Sequence, residues 1–416
     1  MTRVGLSLLT VRPGKVGGAE SYVRGLLRAY ATGPDEVVIL ANGAIEGAYR
    51  DKTGGAVSLR RVHGLEPEGS SPKRAAALLK AAVAPSPIPR DFDIVHYPVA
   101  VRLPRAQLPS VVTLHDIQHH ELPHFFSRAQ RAYRALAYDA SARLATHVVT
   151  VSEHARQGII RTLGIAPERV TAIHHGIDHA RLNPTPTPED AQLDLPRDFI
   201  FFPANLWPHK NHATLIEALA RVPHIDLVLT GQTYDAEAEL RRHARKAGVA
   251  DRVHHIGFVE FHQVPMVYRR ARALVFPSLF EGFGAPPLEA MACGCPVVVS
   301  NAASLPEVVG DAGISVDAHD PRQLADGIQR VLDDGARLVP RGLEHVKRFD
   351  WATAATKHHA VYERAASAGN RGSASARHAR PTSSSRLTTD EPTSAQATPS
   401  APPDQTPTAK AGTTAT

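Results

Sequence analysis

The residue types that could do chemistry gather in one stretch, Phe276 to Asp317, which reads FPSLFEGFGAPPLEAMACGCPVVVSNAASLPEVVGDAGISVD. Two carboxylates, Glu281 and Glu289, have seven residues between them, and Gly282 and Gly284 flank Phe283 directly after the first. Glycines there remove the side chains that would keep a ligand from the backbone. Pro286 and Pro287 suit the first turn of a helix, Leu288 to Cys293 continues it, and Gly294 stops it. The amides of Gly282, Phe283, Gly284 and Ala285 and a helix N-terminus then face one point beyond a strand end, which favours an anion such as a phosphate. Carboxylates do not bind phosphates, so Glu281 and Glu289 must read something else on the same ligand, most simply hydroxyls. Phosphate plus hydroxyls suggests a nucleotide-sugar.

Two other positions carry chemistry. Lys210, in PANLWPHKN, stands at the head of a helix expected over Asn211 to Arg221, a sensible place for a charge aimed at phosphate. His115-Asp116 follows the apolar run Val111 to Leu114, so it lies just past a strand's carboxyl end, where open α/β sheets place their ligands.

The elements that must position these residues are strands alternating with helices. Val4 to Val11 reads as a first strand, Gly17-Gly18 as a turn and Ala19 to Tyr30 as a helix, the opening of a doubly wound sheet. No GxGxxG occurs, so dinucleotide binding has no support. Further strands are expected at Val37 to Leu40, Val57 to Arg61, Asp93 to His96 and His147 to Val151, with a helix at Arg74 to Ala82. Ser152 is expected to cap a helix from Glu153 to Leu163. Asn183 to Pro196 is proline-rich and reads as a linker. A second α/β unit begins at Phe199, and Ser304 with Glu307 has the spacing of a capping box.

The run Glu-x7-Glu inside FPS-x2-EGFG-x3-LEAMACG-x-PVV, followed by LPEVVGDAG, resembles the C-terminal signature of the large retaining GT-B glycosyltransferase family four. His115-Asp116 and the turn His175-Gly-Ile-Asp178 fit the same resemblance. It implies an α/β fold with two Rossmann-like domains facing a cleft. Residues 1–178 would form the acceptor-side domain and 179–350 the nucleotide-sugar domain, with the linker at about 183–196. Residues 351–366 would form a helix crossing back to the first domain.

The implied reaction transfers a hexosyl group, mannosyl-like or glucosyl-like, from a nucleoside-diphosphate sugar to a glycan or lipid-linked acceptor with retention. In the resembling family a Lys at position 210 binds the donor diphosphate, commonly with an Arg five residues earlier; this chain has Asn205 there. Glu281 would hold sugar hydroxyls and Glu289 ribose hydroxyls, while His115 would lie beside the donor sugar. Gly17 and Gly18 would let a loop approach the substrates, and the backbone of His254 to Phe258 would meet the base. No cofactor beyond the donor and no metal are expected. A nucleotide-sugar-binding protein or epimerase of the same fold, without transferase activity, stays open beside this reading.

Composition sets the remaining bounds. The chain has 416 residues, 43% hydrophobic and 21% charged, ordinary for two globular domains with extras. A net charge of +6 and a pI near 9.4 permit an acidic partner, but nothing beyond them points to nucleic acid, which is not expected. Cys293 and Cys295 are too close for an unstrained disulfide and too few for zinc, so they read as reduced core residues of a cytoplasmic protein. The start has too short an apolar core for a signal peptide. Phe125-Phe126 precede a long helix, Ser127 to about Thr146, carrying Arg128, Arg131, Arg134 and Arg143, so peripheral contact with the inner membrane face is kept as an expectation.

Two metal motifs read as decoys. His120-Glu-Leu-Pro-His124 fits HExxH, but Pro123 opposes the helix that motif requires. Asp91-Phe-Asp93 precedes a strand directly. Residues 367–416 are mostly Ser, Thr, Ala, Pro and charged residues, with Leu387 the sole large aliphatic, and are expected to be disordered.

Overall fold

In a computed structural model, residues 1–14, 17–63, 80–234 and 236–378 are described, so most of the helix expected at 74–82 and the tail beyond 378 lie outside the described residues. Continuous apolar runs become parallel strands. β1 (Arg3–Ser7), β2 (Glu36–Ala41), β3 (Val57–Arg61), β4 (Ile94–Tyr97), β5 (Ser110–Thr113), β6 (His147–Thr150) and β7 (Val170–Ala172) form one sheet in the order β3-β2-β1-β4-β5-β6-β7. β8 (Phe199–Pro203), β9 (Asp226–Thr230), β10 (Val253–His255), β11 (Ala273–Phe276), β12 (Val297–Ser300) and β13 (Ile314–Val316) form a second, in the order β10-β9-β8-β11-β12-β13. Every pairing within both sheets is parallel. All four residues of β6, β11 and β12 are buried, as expected of strands covered on both faces.

In each sheet the strand order reverses once, between β1 and β4 and between β8 and β11. That crevice at the carboxyl ends is where a doubly wound sheet binds its ligand. The chain returns to the first sheet through the helix Trp351–His378, whose Ala354, Ala355, Val361, Tyr362 and Ala365 join the core around Val4, Leu6, Leu26 and Val111. Trp351 is seated over two glycines: a Cβ on Gly25 would lie 2.2 Å from its ring, and one on Gly176 would lie 2.3 Å from its backbone nitrogen. Any larger residue at either position would push the returning helix away.

Two expectations are corrected. The helix continues from Ala366 to His378, past the expected boundary, because Ala365 to Arg377 contains several alanines and no proline to stop it. The long helix of residues 127–146 is three pieces, Arg128–Arg134, a π-turn at Ala135–Asp139 and Ala140–Leu144. Ser127 and Gln130 start it with a capping box. The π-turn is local and leaves no sequence period to detect.

Candidate active site

Lys210 and Glu281 meet where β8 and β11 end. Lys210 Nζ donates to Glu281 Oε1 at 2.6 Å, with both side chains 14% exposed. Lys210 closes a short 3-10 turn (Pro208–Lys210), and the following Asn211 takes a left-handed backbone, φ +63. Asparagine tolerates that conformation. Its Nδ2 donates to the carbonyls of Ala318 at 2.7 Å and Pro277 at 3.3 Å, and its Oδ1 accepts from Thr214 at 2.7 Å. The cation is therefore held by the loops after β8, β11 and β13.

The EGFG loop is shaped by close approach. A Cβ on Gly282 would lie 2.5 Å from the His115 carbonyl oxygen, so only glycine lets this loop reach the His115-Asp116 segment. Gly284 has φ +95 and begins the helix Ala285–Ala292, with Pro286 and Pro287 in its first turn. Ser304 Oγ contacts the carbonyls of Glu281 at 3.0 Å and Phe283 at 2.7 Å. Ser152 Oγ, beyond β6, donates to the Gly282 carbonyl at 2.7 Å. With these carbonyls engaged, the loop is tied from both sides. Phe283 buries its ring beside His175, centroids 4.6 Å apart.

Ser304 and Glu307 do not form the expected capping box. Ser304 makes no side-chain cap, and Glu307 instead reaches the first domain. Its carboxylate accepts from the amides of Glu153 at 2.8 Å and His154 at 3.1 Å and from His174 Nε2 at 2.6 Å. Those amides open the helix Glu153–Leu163, whose N-terminus favours an anion. Burial opposes the charge, but His174 and the two amides win, and the Glu307 carboxyl is held below its usual range. A motif that looks local thus clasps the two domains. Ser152 does cap its helix as expected, accepting from Ala155 N at 3.1 Å.

His115 lies half-buried past β5, its Nε2 donating to the Pro98 carbonyl at 3.0 Å. Desolvation lowers its pKa, so the neutral ring keeps Nδ1 as an acceptor. Tyr22 packs edge-on against this ring at 5.0 Å. Beneath it runs a buried chain whose proton directions follow from one anchor. His358 Nδ1 is 2.8 Å from the Ala354 carbonyl, which can only accept, so the neutral His358 accepts at Nε2 from Tyr22. Tyr22 then accepts from Thr113, Thr113 from His96 Nε2, His96 Nδ1 from Tyr362, and Tyr362 from Tyr30. Each member is satisfied only with its neighbour present, so the returning helix fixes the floor under His115.

The other expected site residues separate. Glu289 sits on the helix Ala285–Ala292, accepts from Tyr268 at 3.1 Å and is pushed up by burial, partly offset by Arg181. Gly17, φ +58, and Gly18 begin the helix Gly18–Tyr30 with open space around them. Asn205 occupies the place where a second cation was expected, yet its Oδ1 accepts from Gln232 N at 2.8 Å and ties the loops after β8 and β9. His209 went unnoticed in the sequence. Burial and Lys210 lower its pKa to about 4, and Glu281, Asp116 and Arg134 also act on it electrostatically.

The residues of both decoy motifs take other arrangements. Asp91 pairs with Arg60 and Arg3, and Asp93 accepts from Arg3 N. His120 and His124 fall on separate short turns. A different group gathers instead, with the ligand atoms of His119, His120 and Asp139 within 4.8 Å of one another. Both imidazole Nε2 atoms face the Asp139 carboxylate, at 3.1 and 2.7 Å, in mutual hydrogen bonds. Cys293 and Cys295 are free and buried, the Cys293 thiol pushed up to about 12 by burial.

Residues 186–350 match the family model for glycosyl transferases group 1, and residues 16–181 match that for glycosyltransferase family 4. The chain is 31% identical over 282 residues to O-antigen chain mannosyltransferase B of Escherichia coli, covering 64% of this chain and 74% of that protein. Sucrose-phosphate synthase from Thermosynechococcus elongatus superposes with a TM-score of 0.70 at 22% identity, covering 88% of this chain and 100% of that one. HepE of Anabaena in complex with UDP-glucose gives 0.67 at 22% identity, with the same coverage. These two likenesses show the fold. The chain belongs to the group 1 glycosyltransferases of family four and has their GT-B architecture of two parallel-sheet α/β domains.

Proposed function

We propose that the protein transfers a hexosyl group, mannosyl-like or glucosyl-like, from a nucleoside-diphosphate sugar to a glycan or lipid-linked acceptor, with retention and without a metal. The observation that carries this is the Lys210–Glu281 pair at the mouth of the glycine loop. A diphosphate arriving there draws Lys210 away from Glu281 and adds the amides after Gly282 and the N-terminus of Ala285–Ala292. Glu281, relieved of its cation, is left to accept from sugar hydroxyls. Glu289 would take the ribose hydroxyls, and His115 Nδ1 would face the sugar.

The acceptor enters on the side of the first domain. There Tyr133, Leu136 and Leu144 are exposed beside Arg128 and Arg131, a surface suited to an anionic, lipid-bearing interface. No helix among the described residues is long and apolar enough to cross a membrane. The relative from Escherichia coli acts on an O-antigen chain, which supports a polysaccharide acceptor.

Losing a charged hydrogen bond costs about 1.5–3 kcal/mol, so Glu281→Ala should lower kcat/KM roughly ten- to a hundredfold. Steady-state turnover of UDP- and GDP-hexoses, with slow donor hydrolysis followed in the absence of acceptor, checks this. An unchanged kcat/KM sinks the assignment of Glu281, and a donor that binds but is never cleaved favours the binding protein or epimerase.

A further inference from the structure

Two large aromatic rings stand exposed beside the cleft, unused by the reading above. Trp207 is 45% exposed and Tyr234 57% exposed. Their rings are stacked, parallel to within 11° with centroids 6.1 Å apart, and the pair is built from two loops. Paired and exposed, the two rings offer apolar area that a ligand could cover.

The surface is built, not accidental. Trp207 follows β8 and Tyr234 follows β9, and three contacts lock those loops together. Asn205 Oδ1 accepts from Gln232 N at 2.8 Å, Leu206 N donates to the Gln232 carbonyl at 3.0 Å, and Gly231, φ +118, packs where a Cβ would lie 2.8 Å from the Ala204 backbone. Tyr234 itself holds a left-handed backbone, φ +48, a conformation that is uncommon for an aromatic residue. Asn205, which lacks the expected positive charge, thus has a positive structural use: it sets Tyr234 over Trp207.

Its location follows from His209. The His209 ring lies 5.7 Å from Trp207, and Asp116 and Arg134 of the first domain act on it as well as Lys210 and Glu281. The two rings therefore stand beside the turn Pro208–Lys210, in the loops after β8 and β9. A ligand there needs an apolar face to lie on the rings and a polar edge for the indole N–H, the phenol and His209. A pyranose ring has that pairing of a C–H face and a hydroxyl edge.

We propose that Trp207 and Tyr234, aligned by Asn205, form a saccharide subsite that receives a sugar ring of the acceptor. The proposal rests on the transferase reading and names the acceptor at its contact point as carbohydrate and not lipid tail.

The test is intrinsic fluorescence of the full chain, titrated with disaccharides of mannose, glucose and galactose, and separately with UDP and GDP. The chain has two tryptophans, so Trp207→Phe and Trp207→Ala isolate the signal from Trp351. At least one disaccharide should give a saturable change, lost in Trp207→Ala and weakened roughly tenfold in Tyr234→Ala. In turnover, Trp207→Ala should raise the acceptor KM about tenfold with the donor KM unchanged, and Trp207→Phe should recover most of it. A change produced by UDP or GDP alone would make the surface a nucleobase platform and overturn the proposal. So would the absence of any saccharide response, or a response that survives in Trp207→Ala. Donor cleavage without acceptor is scored in parallel: its absence from the wild type strikes the transferase reading, whereas its presence with an unaltered acceptor KM in Trp207→Ala strikes the subsite alone.

Discussion

Lys210→Ala is expected to slow donor turnover roughly a hundred- to a thousandfold, by analogy with the loss of an oxyanion-stabilising donor. The diphosphate's charge must be offset as the sugar leaves, and Lys210 is the cation that the loops after β8, β11 and β13 hold in place. The position five residues earlier contributes no second positive charge, because Asn205 is neutral and its oxygen is bonded to Gln232. Removing Lys210 also leaves Glu281 facing an incoming diphosphate, two negative charges with nothing between them. Kinetics with and without EDTA read both claims. Loss of activity in EDTA with recovery in Mn²⁺ or Mg²⁺ would refute the metal-free reading, and a fully active Lys210→Ala would refute the role of the cation.

A second large effect is loss of stability in mild acid. Burial holds His147 and His358 neutral, with their pKa lowered from 6.5 to about 4. His96 and His175 shift the same way through desolvation. A histidine depressed on folding binds fewer protons folded than unfolded. Its contribution is therefore complete above pH 6.5 and disappears as pH falls from 6.5 toward 4. At 1.36 kcal/mol per pKa unit, His147 and His358 each account for on the order of a few kcal/mol over that window. Glu307, held below its usual range, adds to the loss at the acid end, while Glu289, pushed up by burial, works against it. Urea unfolding at pH 7.5, 6.0 and 5.0 should show the midpoint falling steeply. A midpoint unchanged down to pH 5 would mean that these rings are not buried neutral and that the chain from Tyr30 to Ala354 is not formed as described.

Local signals carried far in this sequence. The apolar runs located the strands, the glycine stop and paired prolines bounded the helix Ala285–Ala292, and Lys210 and Glu281, singled out from what stands next to them, are paired in the structure. Residues whose partners lie far along the chain stayed hidden. Glu307 has the spacing of a local cap, yet its carboxylate is bonded 154 residues away, to the amide of Glu153 at the head of another helix. His119 and His120 face Asp139, which ends the π-turn about twenty residues further along the chain. Asn205 reads as a missing charge until its bond to Gln232 is seen. The chain of tyrosines and histidines joins residues more than 300 positions apart, which no periodicity records.

The most direct measurement is a proton NMR time course of GDP-mannose and UDP-glucose with the 416-residue chain and a saccharide acceptor in the presence of EDTA. The anomeric signal of the product identifies both the reaction and its stereochemistry. One donor should be consumed, with the sugar first appearing in the same α configuration that it had on the nucleotide. Formation of the β product would contradict retention, and failure to consume any nucleoside-diphosphate hexose would contradict the transfer itself.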